Sequence, residues 1–164
     1  MIQNNKTMLD KLIRYFVYAT KGHITKIQLI RFLYLADLYA VKWTGKQLTN
    51  LDWYYYHNGP WHEDINTALD SMNGNEISIE TEYNTIFIKL GIKAGNIDDL
   101  QLPTSLKLLL DNIRREWSGS GIDKIKELLG YIYSTAPMVE VKDKHKPEER
   151  VKLNLQLERE KLVS

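Results

Sequence analysis

The chain contains no cysteine, which excludes disulfide staples, thiolate metal sites and cysteine nucleophiles. It also has almost no net charge, with 22 Lys+Arg against 21 Asp+Glu for a formal +1. Nucleic-acid binding is driven largely by phosphate neutralisation, so this balance gives no long-range field to collect DNA or RNA. Long apolar runs are missing as well. The first residues include Gln3, Asn4, Asn5 and Lys6, and the apolar positions that follow are periodic rather than continuous, unlike a signal peptide or a membrane span. Enzyme motifs are equally scarce. Gly119-Ser120-Gly121 lacks the spacing and preceding strand of a phosphate loop, and no Gly-x-Ser-x-Gly elbow occurs. These absences lead to the expectation of a soluble, cytoplasmic protein with no cofactor, and 164 residues suffice for one domain with its own core.

What is present is mostly helical periodicity. Leu9, Leu12, Ile13, Phe16 and Val17 recur at i, i+3, i+4, i+7 and i+8, predicting a helix over 5–20 that Gly22 closes. Thr25 and Gln28 have the spacing of a capping box. The helix they open, "KIQLIRFLYLADLYAVKW", is apolar on nearly every side, as expected of a central helix covered by other elements. Thr44-Gly45-Lys46 ends it. Two alternating runs, 77–81 and 85–90, predict a hairpin turning near Asn84. Pro103 opens a helix bearing Leu106, Leu109, Leu110, Ile113 and Trp117. Ser118 to Gly121 forms a joint, and Ser120 with Asp123 reads as the cap of a last long helix that ends before Pro137. The segment 141–164 divides into a charged connector and a tail in which Val151, Leu153, Leu155 and Leu157 alternate. That alternation predicts a strand able to pair with the 77–90 hairpin or with another chain. The fold class expected is α+β, mostly α-helical with a small antiparallel β-sheet.

The densest chemistry lies in "DWYYYHNGPWHED", residues 52–64. The segment 51–57 predicts a strand, and Pro60 suits the first turn of a following helix, whose face Trp61, Ile65, Ala68, Leu69 and Met72 would supply. Along the strand, Trp53, Tyr55 and His57 share one face and Tyr54, Tyr56 and Asn58 the other. One set belongs in the core; the other either is buried as well, between helices and sheet, or faces outward to anchor a partner. His57, His62 and Glu63 invite a metal or hydrolytic reading, but a third convergent ligand is lacking. Glu63 and Asp64 suit a helix start, where acids oppose the macrodipole. Asp37 is a carboxylate projecting from an apolar helix face. Burying it unpaired would be costly, so it is expected to accept bonds from loop amides, a tyrosine hydroxyl or an indole.

The stretch "ITKIQLIRFLYLADLYAVKWTGKQLTNLDWYYYHNGPWHEDI" resembles the core of the Panacea domain, the SocA-like antitoxin family of bacteria and their phages. The similar features are a Leu-Tyr-x-Ala-Asp helix (Leu33 to Asp37), a Thr44-Gly45 turn, and an aromatic strand ending in a Gly-Pro step. That step is Asn58-Gly59-Pro60 here, with His57-Asn58 replacing the family's aromatic approach. Ala136-Pro137-Met138 resembles the family's proline-containing segment, so the likeness covers about 5–140 of a single 1–164 domain.

The resemblance implies a non-enzymatic, phage-associated antitoxin that binds a co-encoded protein toxin directly. Some relatives present their toxin to a cytosolic protease, so a protease adaptor or phage regulatory protein is the alternative within the binding class. The alternative from another class is a hydrolase using His57, His62 and Glu63. The expected partner contacts are Trp53, Tyr55, His57, Asn58 and Trp61, shaped by Gly59 and Pro60 and supported from inside by Asp37. No catalytic residue, metal, membrane or nucleic-acid partner is assigned.

Overall fold

A computed structural model describes residues 7–57, 59–118, 121–146 and 148–163. Helix α1 (Met8–Ala19) begins where the Thr7 hydroxyl accepts from the Asp10 amide, and it buries Leu12, Ile13 and Phe16. A two-residue strand, β1 (Ile24–Thr25), leads into α2 (Lys26–Thr44). The expected capping box is present: the Gln28 amide donates to Thr25 Oγ1 at 3.1 Å and the Thr25 amide to Gln28 Oε1 at 3.0 Å. Two otherwise unpartnered amides are satisfied reciprocally. Helix α2 ends at Gly45, whose φ of +83° is a left-handed cap that a Cβ would penalise.

Helix α2 is the axis of the molecule. Phe32, Leu33, Tyr34, Leu35, Ala36 and Leu38 have no exposed surface, and each fully buried Leu or Phe contributes roughly 1.5–3 kcal/mol. Phe32 meets Phe16 of α1 edge-on at 5.3 Å, and Tyr34 meets Trp53 at 5.6 Å. The hairpin β4 (Ile77–Glu82) and β5 (Thr85–Leu90) forms as expected, and β1 completes its sheet in the order β1-β5-β4. Helices α4 (Thr104–Trp117) and α5 (Ile122–Ser134) pack on the same core through Leu110, Ile113, Leu128 and Ile132. The Ser120 cap falls outside the described residues.

A second antiparallel sheet, β3-β2-β6, is made by β2 (Tyr54–Tyr56), β3 (Gly59–Trp61) and β6 (Val151–Lys152). Two sequence expectations fail here. Pro60 and Trp61 are not in a helix: they pair across the hairpin, Pro60 with Tyr55 and Trp61 with Tyr54. His57, which follows β2, takes a φ of +50°, as primed hairpin turns require. Strand β3 lies at the sheet edge, where a residue without an amide proton is tolerated. Helix α3 (Glu63–Met72) therefore starts three residues after Pro60.

The tail departs from expectation as well. It pairs within the chain, not with the 77–90 hairpin: Tyr54 faces Lys152 and Tyr55 faces Val151, and the Leu153 amide donates to Trp53 O at 2.8 Å. Leu153 and Leu155 are buried, but regular strand stops at Lys152 and the chain becomes helical as α7 (Gln156–Glu160). Between α5 and this tail lies α6 (Ala136–Val141), with Pro137 in its first turn. Glu158, buried on α7, accepts from the Ala136 amide at 2.8 Å and so ties the tail to the start of α6. Alternation at 151–157 thus reflects a short strand leading into a helix, with Leu153 buried just after β6, Leu155 at the start of α7 and Leu157 within it.

Candidate functional site

Asp37 is fully buried near the middle of α2. Its Oδ1 accepts from the Leu48 and Thr49 amides, both at 3.0 Å. Its Oδ2 accepts from the Thr49 hydroxyl, from Gln47 Nε2 at 3.2 Å and from Trp53 Nε1 at 2.8 Å. The donors include the loop amides and the indole that the sequence predicts, with the Thr49 hydroxyl in place of a tyrosine hydroxyl. Every donor lies between residues 47 and 53, so one carboxylate fixes the loop that delivers β2. A buried side chain with this many donors has its hydrogen-bonding capacity met inside the protein.

The bond to Trp53 sets the orientation of the aromatic strand. Trp53 and Tyr55 are 1% and 3% exposed and face the core, so they correct the expectation of partner-facing side chains at those positions. Tyr54 and Tyr56 are half-buried and His57 is exposed. Asn58 lies outside the described residues. Trp61, delivered by β3, packs beside Tyr56 with ring centroids 5.1 Å apart, and His57 lies 4.0 Å from Tyr56. The Arg150 guanidinium, entering just before β6, stands over both Tyr56 at 5.2 Å and Trp61 at 5.1 Å. Cation–π contacts of this kind contribute about 0.5–1 kcal/mol at exposed positions. Tyr56, His57 and Trp61 thus form a half-open aromatic platform, and with Gly59 and Pro60 they wall a cleft of ≈ 230 Å³ against Ile27, Ile30 and Arg31 of α2.

The histidines have other work. His62 is the N-cap of α3, its Nδ1 accepting from the Asp64 amide at 2.9 Å, and its ring lies 5.9 Å from that of Tyr54. His57 is packed on Tyr56. Glu63 is exposed in the first turn of α3, as expected of an acid opposing the macrodipole. Among the described residues no three His, Cys, Asp or Glu side chains gather as metal ligands, and no helix is long and apolar enough to cross a membrane.

Sequence reasoning missed Tyr56, Arg150, Ile27 and Arg31. Tyr56 was recoverable in part, because an indole donor to Asp37 was one of the partners expected and would turn Trp53 inward and Tyr56 to the other face. Arg150 arrives from far along the chain and carries no local signal. Ile27, on a helix expected to be covered all round, is 58% exposed.

Comparison with known protein families matches residues 29–130 to the model described as "Antitoxin SocA-like, Panacea domain". No curated protein and no solved structure matches the chain.

Proposed function

The chain belongs to the family of SocA-like antitoxins that carry the Panacea domain, and from this membership we propose that it is a non-enzymatic antitoxin, neutralising a co-encoded protein toxin in the cytoplasm by direct binding. The observation that carries the reading is the aromatic platform. Tyr56, His57 and Trp61, with Arg150 laid over two of the rings, combine the residue types that dominate binding energy at protein interfaces. Strand β2 is held on both sides, by β3 and by β6, and the loop before it is fixed by Asp37. A preorganised surface of this kind loses little conformational freedom on binding. The partner contacts proposed are Tyr56, His57 and Trp61, together with Asn58, the next residue in sequence after His57. Trp53, Tyr55 and Asp37 act from inside by holding the strand in place.

The test is the neighbouring reading frame. Expressed alone, its product should arrest growth; expressed with this chain, growth should recover, and the two proteins should co-purify. A neighbour that is harmless, or one that stays lethal beside the antitoxin, would overturn the reading. Toxin abundance then separates sequestration from delivery to a protease: the bound toxin persists in the first case and disappears in the second.

A further inference from the structure

Arg31 differs from the other five arginines of the chain. Arg14 donates to Ala94 O, Arg159 to Lys42 O and Arg115 to Asn112; Arg114 faces Asp111 at 3.7 Å, and Arg150 lies over two rings. Arg31 has none of these. Among the described residues no hydrogen bond or ion pair engages its guanidinium, and only Tyr133 acts on it electrostatically. Its surroundings are half-dry, and burial lowers its pKa from the ordinary value, with Tyr133 opposing. Its nitrogens still touch solvent, but a partly dehydrated guanidinium without a protein acceptor is a less favourable arrangement than a paired one. It becomes favourable when a planar anion supplies the two acceptors that the fork is shaped for.

Arg31 also lines two adjoining clefts. One is the ≈ 230 Å³ cleft walled by the aromatic platform. The other, of ≈ 340 Å³, lies between the start of α2, the β4–β5 turn and α5, with Ile27, Ile86 and Ile125 on its walls. Ile27 stands one turn before Arg31 and borders both clefts. No Asp or Glu lines either one, whereas Lys26 lines the larger. The local field is therefore positive although the chain as a whole is nearly neutral.

We propose that Arg31 is a binding site for a carboxylate side chain of the protein partner, an Asp or Glu flanked by aliphatic residues that enter the clefts on either side of Ile27. The identification of that partner as the toxin rests on the antitoxin reading; the site chemistry does not. Isoleucine walls with few cations suit a singly charged carboxylate in an apolar segment better than a phosphate or a nucleic-acid backbone, which calls for several converging cations.

A random peptide display library selected against the whole chain, in parallel with Arg31→Gln, tests this. Selection on the native chain should enrich peptides carrying an acid between aliphatic residues. Affinity for such a peptide should fall about ten-fold or more with Arg31→Gln, and equally with Glu→Gln in the peptide, while the double change costs little more than either alone. The melting temperature of Arg31→Gln should be unchanged or higher, because an unpaired half-buried charge has been removed. The proposal is overturned if the enriched peptides lack an acid, if their affinity ignores Arg31, if phosphoserine in place of Glu binds more than about ten-fold tighter, or if Arg31→Gln melts markedly lower. In cells the two readings separate. Full neutralisation of the co-encoded toxin by Arg31→Gln removes Arg31 from the toxin contact and leaves the antitoxin reading standing. Failure of the native chain to neutralise defeats the antitoxin reading, and the peptide result then decides Arg31 alone.

Discussion

Trp53 Nε1 donates to Asp37 Oδ2 at 2.8 Å, and this one bond turns the aromatic strand so that Trp53 and Tyr55 point inward while Tyr54 and Tyr56 point out. A strand side chain cannot change face without a register slip that would move every neighbour with it. The buried carboxylate therefore acts on the candidate binding surface without touching it: it fixes which aromatics are available.

Asp37→Asn keeps the volume but turns one acceptor into a donor, in a place where the amides of Leu48 and Thr49, the Thr49 hydroxyl, Gln47 and Trp53 all donate. At least one buried donor must lose its partner. The expected cost is roughly 2–4 kcal/mol, read as a lower urea midpoint with the slope unchanged. A loss below about 0.5 kcal/mol, the scatter of ordinary surface changes, would show that the network can be rewired.

The two tryptophans of the hairpin region should behave in opposite ways. Trp53→Ala empties a fully buried site and removes a donor to Asp37, which should destabilise the chain by about 3–5 kcal/mol. Trp61→Ala removes a half-exposed ring from the platform. It should leave unfolding cooperative and within about 1 kcal/mol of native, yet weaken toxin binding by at least about ten-fold, the usual mark of an interface anchor. Equal effects of the two substitutions on stability would contradict the assignment of faces.

Much of this was legible in the sequence wherever the signal is local. The Thr25–Gln28 cap, the 77–90 hairpin and the apolar breadth of α2 are written within a few residues of where they act, and the buried carboxylate of Asp37 follows from its place on an apolar face. The failures are equally physical. Gly59-Pro60 carries both a turn and a helix-start signal, and local propensity cannot say which wins; Gly59 to Trp61 form a strand by pairing with β2, which β6 braces on its other side from almost a hundred residues on. The Leu153–Leu155 alternation records burial of both side chains, which the chain achieves while turning from β6 into α7 rather than by continuing a strand. Arg150 and Arg31 reach the site through tertiary placement, and no spacing announces it.

Alkaline pH should unfold the chain through its buried phenols. Burial pushes the hydroxyls of Tyr15, Tyr34 and Tyr39 above the ordinary tyrosine range, reinforced at Tyr15 by its bond to Asp111 and at Tyr39 by its bond to Tyr131. The folded state holds these protons more tightly than the unfolded state, whose tyrosines titrate near pH 10. Their contribution to stability is thus complete below about pH 10 and is lost as pH rises beyond it. At about pH 11 the phenolate absorbance of the native chain should fall short of that of the denaturant-unfolded chain by at least these three of its ten tyrosines. Coincident titration curves would show the three hydroxyls to be accessible.

The tail and the platform can be separated by two changes at neighbouring positions. Removing residues 150–164 takes away β6, the buried Leu153 and Leu155, and the Glu158 carboxylate that caps the start of α6. The two leucines alone account for roughly 1.5–3 kcal/mol each, and β2 would be left with an unpaired edge that invites another chain. The truncated protein should melt lower and scatter light on warming. Arg150→Ala leaves β6 and both leucines in place and deletes only the cation over Tyr56 and Trp61, at 5.2 and 5.1 Å. Its stability should change by about 1 kcal/mol or less, with melting still cooperative, while toxin affinity falls because the rings lose the group that orders them. If Arg150→Ala binds toxin as tightly as the native chain, the platform does not depend on its cation. If it melts as low as the truncated protein, Arg150 belongs with the structural tail and not with the binding surface.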